Sequence, residues 1–222
     1  MFLGHFAVAL AAKKPAPRVS LSLLVFGAQL ADLLWPLFLL VGLERARIVP
    51  GITRVVPLDF VSYPYTHSLL SQSVSAAALG IIYYTVRRER KGAVVLALCV
   101  PSHWLLDFIS HRPDMPLIPN GARYGLGLWN YPAATMAAEL SLLAAGVAIF
   151  LLTVRLKDRR HRYVFWSLII FLVAVYLGSF FGPPPPDTTV LTISGLALWV
   201  TIPWAAWADR SSASRRQLAE VD

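Results

Sequence analysis

The sequence predicts an all-α fold: a polytopic transmembrane bundle of about six spans plus a short N-terminal half-helix. Three observations predict it. Of the 222 residues, 57% are hydrophobic and 14% charged, with a mean hydropathy of +0.60, values that water-soluble domains rarely combine. Uncharged apolar runs long enough to cross a bilayer recur along the whole chain. The Lys and Arg residues fall in short clusters between those runs, the arrangement that encodes membrane orientation. That placement accounts for the net charge of +8 without nucleic acid as a partner. Membrane lipid is the expected surrounding and partner, and composition says nothing of oligomeric state.

The first apolar run, within "MFLGHFAVALAAKKP", is followed by Lys13 and Lys14 instead of being preceded by charge. This reverses a secretory signal, so residues 2–12 are expected to be a retained helix too short to span alone. Full spans are expected at residues 19–43, 66–86, 92–111, 130–154, 163–181 and 188–207. Residues 1–154 then form a domain holding the half-helix and four spans, 155–208 add two spans, and 209–222 read as a disordered cytoplasmic tail. The basic clusters "RRERK", "RLKDRRHR" and "DRSSASRR", with Lys13, Lys14 and Arg18, place both termini in the cytoplasm. The segment 112–129 and the stiff "GPPPPD" turn face outward. Trp35, Trp104, Trp129, Trp199, Trp204 and Trp207 lie mostly near span ends and read as interfacial anchors. The single cysteine, Cys99, rules out an intrachain disulfide and reads as a buried, inert thiol.

Against this background certain ionisable residues stand out: His5, Asp32, His67, His103, Asp107, His111 and Glu139. A charged group at mid-bilayer costs at least about 2.5–3.5 kcal/mol on insertion scales, so such groups face a protein interior, pair, or serve function. In "PSHWLLDFISHRPDMP", positions 103, 107 and 111 fall within an arc of roughly 80° on a helix. Counted from Lys91, His103 lies about 18 Å up and His111 about 30 Å. Glu139 and Asp32 lie about 14–15 Å below the outer ends of their spans, near the depth of His103. His67 opens its span level with His111, with Thr66 a candidate N-cap. Polar positions from four spans thus converge on the outer half of the membrane. His5 reaches only about 12 Å above Lys13 and meets the lower part of the stripe if its helix packs centrally. Pro101 is expected to kink the third span just below His103.

Imidazoles and carboxylates together are the ligands of zinc and related divalent ions, and water on such an ion reaches a pKa near 7. The alternative for the same residues is a hydrogen-bonded polar seam between helices.

The segments "GHFAVALAAKK", "ADLLWP", "PLDFVSYPYTHSLL" and "SHWLLDFISHRPDMPL" resemble signatures of an uncharacterised bacterial integral-membrane family labelled membrane-bound metal-dependent hydrolases, whose relatives include LexA-regulated inner-membrane hydrolases. The resemblance covers residues 2–154. The motif order is also similar to that of zinc-dependent phospholipase C. The resemblance implies a bacterial inner-membrane hydrolase with His5, Asp32, His67, His103, Asp107 and His111 as metal ligands, Asp107 or Asp32 as a bridge, and Glu139 as a late acidic ligand. The phospholipase pattern carries a further histidine where this chain has Thr135, and its third motif histidine follows at a wider interval. One or two divalent ions, zinc foremost, are therefore expected instead of three.

The leading expectation is metal-dependent hydrolysis of a lipid or lipid-linked (phospho)ester through activated water, at a site facing the outer leaflet. Glu139, Asp114 or Asp59 would carry the proton, and Arg112 and Arg123 would clamp an anionic headgroup. Interfacial anchoring for the arginines and turn roles for Asp114 and Asp59 are the alternatives. A metal- or proton-coupled transporter and a non-enzymatic scaffold are the rival functions. The transporter predicts ligands continuing into the cytoplasmic half, where the spans carry none.

Overall fold

Helix α1 (Leu3–Ala12) is buried on almost every face, as a helix apolar all round must be. It forms the centre of a helical bundle, flanked by α2 (Leu21–Ala28), α5 (Arg90–Ser110) and α6 (Pro132–Thr153). The computed structural model describes residues 1–156, 158–209 and 212–214, the last three by backbone alone. Close approach of α1 to α6 depends on Gly146, where a Cβ would stand 2.6 Å from the Ala7 carbonyl oxygen. The half-length helix predicted from the sequence is therefore present, and it packs centrally.

Five helices are long and apolar enough to cross a membrane, or six if one bent pair counts as a single span. The bent pair is the predicted first span, which breaks by 57° between α2 and α3 (Leu30–Leu40). The others are α4 (Leu69–Arg87), α5, α6, α7 (Arg159–Phe181) and the Thr188–Asp209 run. That last run comprises α8 (Thr188–Leu196), a 3-10 turn and α9 (Thr201–Asp209). Their outward faces carry exposed apolar side chains such as Ile81, Leu98, Ile170 and Ile193, which suit lipid. The chain is a multi-pass, all-α membrane protein.

Polar residues at the helix starts satisfy the free N–H groups there. Ser20 caps α2, Glu89 caps α5, Asp158 caps α7 and Asp187 caps α8. Helix α4 is capped by Ser68, whose side chain accepts from Ser71 N. The expected cap, Thr66, lies before the helix and has another task, described below. Helix α5 continues through Pro101 as one element and ends at Ser110.

Short strands close one end of the bundle. β1 (Arg45–Ile48) and β2 (Leu58–Ser62) form an antiparallel hairpin with Arg47 opposite Asp59 and an irregularity between Arg45 and Arg47. β3 (Met115–Pro116) pairs with β4 (Arg123–Tyr124). The chain then folds back over the end of α5, with Leu126 N donating to Phe108 O (2.8 Å) and Gly127 N to His111 O (2.6 Å). Gly125 permits this, since a Cβ there would meet the Arg112 carbonyl oxygen at 2.1 Å. At the other end of α5 lies the basic α4–α5 turn. Much of the tail predicted to be disordered lies outside the described residues; within it, β6 (Ser212–Ser214) pairs with β5 (Val154–Leu156).

A compact aromatic cluster of Trp35, Phe60, Tyr63, Trp104 and Trp129, with Ala46 and Met115, sits beneath the strands. Three tryptophans expected as interfacial anchors are thus buried here, because the hairpin and the folded-back loop cover them. Trp199 and Trp207 are partly exposed, as anchors are.

Candidate metal centre

The six residues expected to gather do gather. His5 comes from α1, Asp32 from the first turn of α3, His67 from the coil before α4, and His103 and Asp107 from α5. His111 is the residue that ends α5, with extended backbone (ψ 151°), so the expected helical stripe stops one residue short of it. Arg112 and Pro113 explain the stop, since a residue before proline avoids helical geometry.

Asp107 is the hub. Its Oδ1 lies 3.1 Å from His5 Nε2, and its Oδ2 lies 3.1 Å from His103 Nε2, 3.8 Å from His111 Nε2 and 4.0 Å from His67 Nε2. Asp32 Oδ1 is 3.5 Å from His67 Nε2 and 3.7 Å from His103 Nε2. The donors form two overlapping groups, His5–His103–Asp107 and Asp32–His67–His103, each within 4.8 Å. The rings of His5 and His103 stack at 3.7 Å. The Met1 ammonium contacts Asp107 Oδ1 and donates to Ser110 Oγ. All these side chains are nearly inaccessible except Asp32, which keeps 25% of its side chain exposed and marks the open edge.

The outer nitrogens of three histidines decide what the inner ones present. His103 Nδ1 lies 2.9 Å from the Ala28 carbonyl oxygen, which can only accept. The helix break after Ala28 leaves that carbonyl at a helix terminus, where such groups need outside partners. His67 Nδ1 lies 2.7 Å from Thr66 Oγ1, and that hydroxyl gives its proton to Glu44 Oε2 at 2.7 Å. His111 Nδ1 lies 2.9 Å from Asp114 Oδ1. Each network assigns the proton to Nδ1, so each neutral ring turns an Nε2 lone pair toward Asp107. Lone pairs facing carboxylate oxygens repel unless a cation or a proton lies between them. His103 Nε2 in particular is buried without a hydrogen-bond partner among the described residues, despite its short distance to Asp107. Inward Nε2 atoms with Nδ1–H held by carbonyl or carboxylate form the usual outer support of metal-binding histidines. The donor set thus fits a divalent cation; His5, Asp32, His67, His103 and Asp107 make up the two groups that could hold one, and His111 Nε2 stands beside them, 3.8 Å from Asp107 Oδ2.

An apolar shell surrounds the donors. Trp129 packs on His111 (4.1 Å between ring centres), Phe60 on His111 (4.8 Å), Tyr63 on His67 (5.0 Å) and Trp35 on His67 (6.3 Å). Tyr63 donates to the Asp114 carbonyl oxygen at 2.8 Å, and burial together with the adjacent Asp114 carboxylate raises its phenol well above the ordinary value. It remains a neutral donor at physiological pH.

The remaining expected residues take supporting places. Asp114 accepts from His111, Arg112 and Tyr63. Arg112 joins Asp114 to Asp59, which also pairs with Arg47. Arg123 donates to the carbonyls of Phe60 and Val61 and so clasps β4 to β2. Glu139 accepts from Phe2 N (2.9 Å) and Gly4 N (3.1 Å), holding the start of α1 and hence His5. Glu44 and Thr66 are site residues that the sequence reading passed over. Glu44 accepts from Tyr65 N, Thr66 N and Thr66 Oγ1 across the closed hairpin. The adjacency of Thr66 to His67 was the one signal available.

No family model, curated protein or solved structure matches the chain.

Proposed function

We propose that the protein is a membrane-embedded, metal-dependent hydrolase of a lipid or lipid-linked phosphoester, with one or two zinc ions. In this reading it resides in a bacterial inner membrane with both termini cytoplasmic and the centre toward the outer leaflet. The observation that carries it is the pair of overlapping donor groups, His5–His103–Asp107 and Asp32–His67–His103, joined at His103 and bordered by His111. A divalent ion there supplies Lewis acidity, lowering the pKa of water and polarising an ester oxygen.

The chain's own residues do the rest. Asp107, with an oxygen toward each donor group, is placed to serve both. The aromatic shell excludes bulk water and strengthens every charge interaction inside it. The partly exposed Asp32 edge admits substrate, and the Asp59–Arg112–Asp114 chain sets a guanidinium beside the carboxylate that holds His111. Asp114, hydrogen-bonded to His111, is the expected carboxylate best connected for moving a proton.

The test is metal analysis and headgroup release with protein purified in detergent. Wild type is expected to hold stoichiometric zinc and to release headgroup from defined phospholipids or polyprenyl phosphates, with chelator abolishing release. His103→Ala and Asp107→Ala are expected to lose both. Bound metal without release from any of these lipids contradicts hydrolysis and favours transport. Folded wild type without metal contradicts the centre itself and leaves a polar seam.

A further inference from the structure

A second feature lies behind the metal centre. A cavity of about 530 Å³ separates the site-proximal halves of α6 and α7 and is closed by α8 and the loop between β1 and β2. The two helices meet farther along, where Phe150 stacks on Phe165 at 4.8 Å, and part toward the strand-capped end. The volume is within the range of about 300–1,000 Å³ that small-molecule sites occupy. Phe2, Trp129, Phe180, Leu191 and the proline turn 183–185 make its lining largely apolar. It shares walls with the metal centre, since Trp129 covers His111 and Glu139 holds the start of α1.

Three polar groups give the cavity a chemistry. Tyr176 lines it, is 4% exposed, and its hydroxyl has no hydrogen-bond partner among the described residues. A buried hydroxyl left unpaired is costly, so a ligand that accepts from it is favoured. Glu139, also in the wall, repels an anion at that depth and leaves a neutral acceptor as the better fit. Arg54 lines the cavity but is itself exposed, which puts a cation at the mouth.

We infer that this cavity binds a glycerophospholipid, with one acyl chain among the apolar walls, its ester carbonyl accepting from Tyr176, and its phosphate at Arg54. An apolar chain, a neutral acceptor and an outer anion occur in that order in such a lipid. With its phosphate at Arg54 and none of the metal-centre donors in the cavity wall, this lipid is a resident of the cavity distinct from the substrate that enters at Asp32, and its binding does not rest on the hydrolase reading.

The experiment uses metal-loaded protein in detergent and phosphatidylglycerol carrying a photoactivatable diazirine at the end of one acyl chain, alongside the diether analogue that lacks the carbonyls. Peptide mapping is expected to place the cross-links on α6, α7 and α8. Ser194→Trp, which fills the cavity, is expected to abolish them while zinc content stays at the wild-type level. Tyr176→Phe is expected to weaken retention of the diacyl lipid about fivefold, the worth of one hydrogen bond, and to leave the diether lipid unchanged. Labels confined to the outward faces of α4 and α5, or an equal loss of both lipids in Tyr176→Phe, overturn the inference. Lipid retained as expected without headgroup release contradicts the hydrolase reading and leaves this site standing.

Discussion

Each of three histidines meets the centre through Nε2 because its Nδ1 is already engaged, and the engaging groups are as different as a backbone carbonyl, a threonine hydroxyl and a carboxylate. Thr66 is the most exposed to test. It passes the polarity of Glu44 to His67, so Thr66→Val removes the acceptor for Nδ1–H and takes the hydroxyl donor from Glu44 Oε2, while Oε1 keeps its two backbone donors. Outer partners of this kind typically contribute 10–100-fold in metal affinity. Thr66→Val and Asp114→Asn are each expected to weaken zinc binding by about that factor, measured by competition with a chelating dye. Unchanged affinity in both contradicts the tautomer assignment. At this scale the sequence showed the ligands and hid their supports. An ionisable residue in an apolar span is conspicuous, but Glu44 sits in an ordinary polar connection, and only the folded hairpin brings it to Thr66.

Two backbone features place the ligands. The break between α2 and α3 supplies the Ala28 carbonyl to His103 and sets Asp32 in a first helical turn. The apolar run over 19–43 reads as one span, because the only residues marking the break, Gly27 and Gln29, are ones that a continuous membrane helix also tolerates. Tertiary contact at His103 takes the carbonyl that a continuous helix would have used. The second feature is Gly146, which lets α1 lie against α6. Gly146→Val is expected to lower stability by about 1–3 kcal/mol in a denaturant titration in detergent, and to draw His5 away from the centre. A variant as stable as wild type contradicts central packing of α1. The strands lay beyond sequence reading because their residues, such as "RARI" and "LDFVS", are too few to show a period.

Across the whole molecule, the helices were legible because lipid demands about 20 apolar residues per span, and α4 to α7 begin and end within a few residues of expectation. The proposed orientation puts the β1–β2 loop and the α4–α5 turn on opposite sides of the membrane. In a Cys99→Ala background, Gly51→Cys is expected to react with an impermeant maleimide added to intact cells, and Arg90→Cys only after lysis. The reverse pattern contradicts the outer-leaflet assignment. The Met1 ammonium meets one oxygen of Asp107, and the remaining carboxylate oxygens and imidazole nitrogens of this largely buried cluster are costly unless a further cation holds them together. X-ray absorption at the zinc edge of purified wild-type protein tests that most directly. The account predicts stoichiometric zinc with nitrogen and oxygen donors at about 2.0–2.2 Å and the scattering of several imidazoles, lost in Asp107→Ala. Protein that is folded and free of metal, or zinc ligated without imidazole, would contradict it.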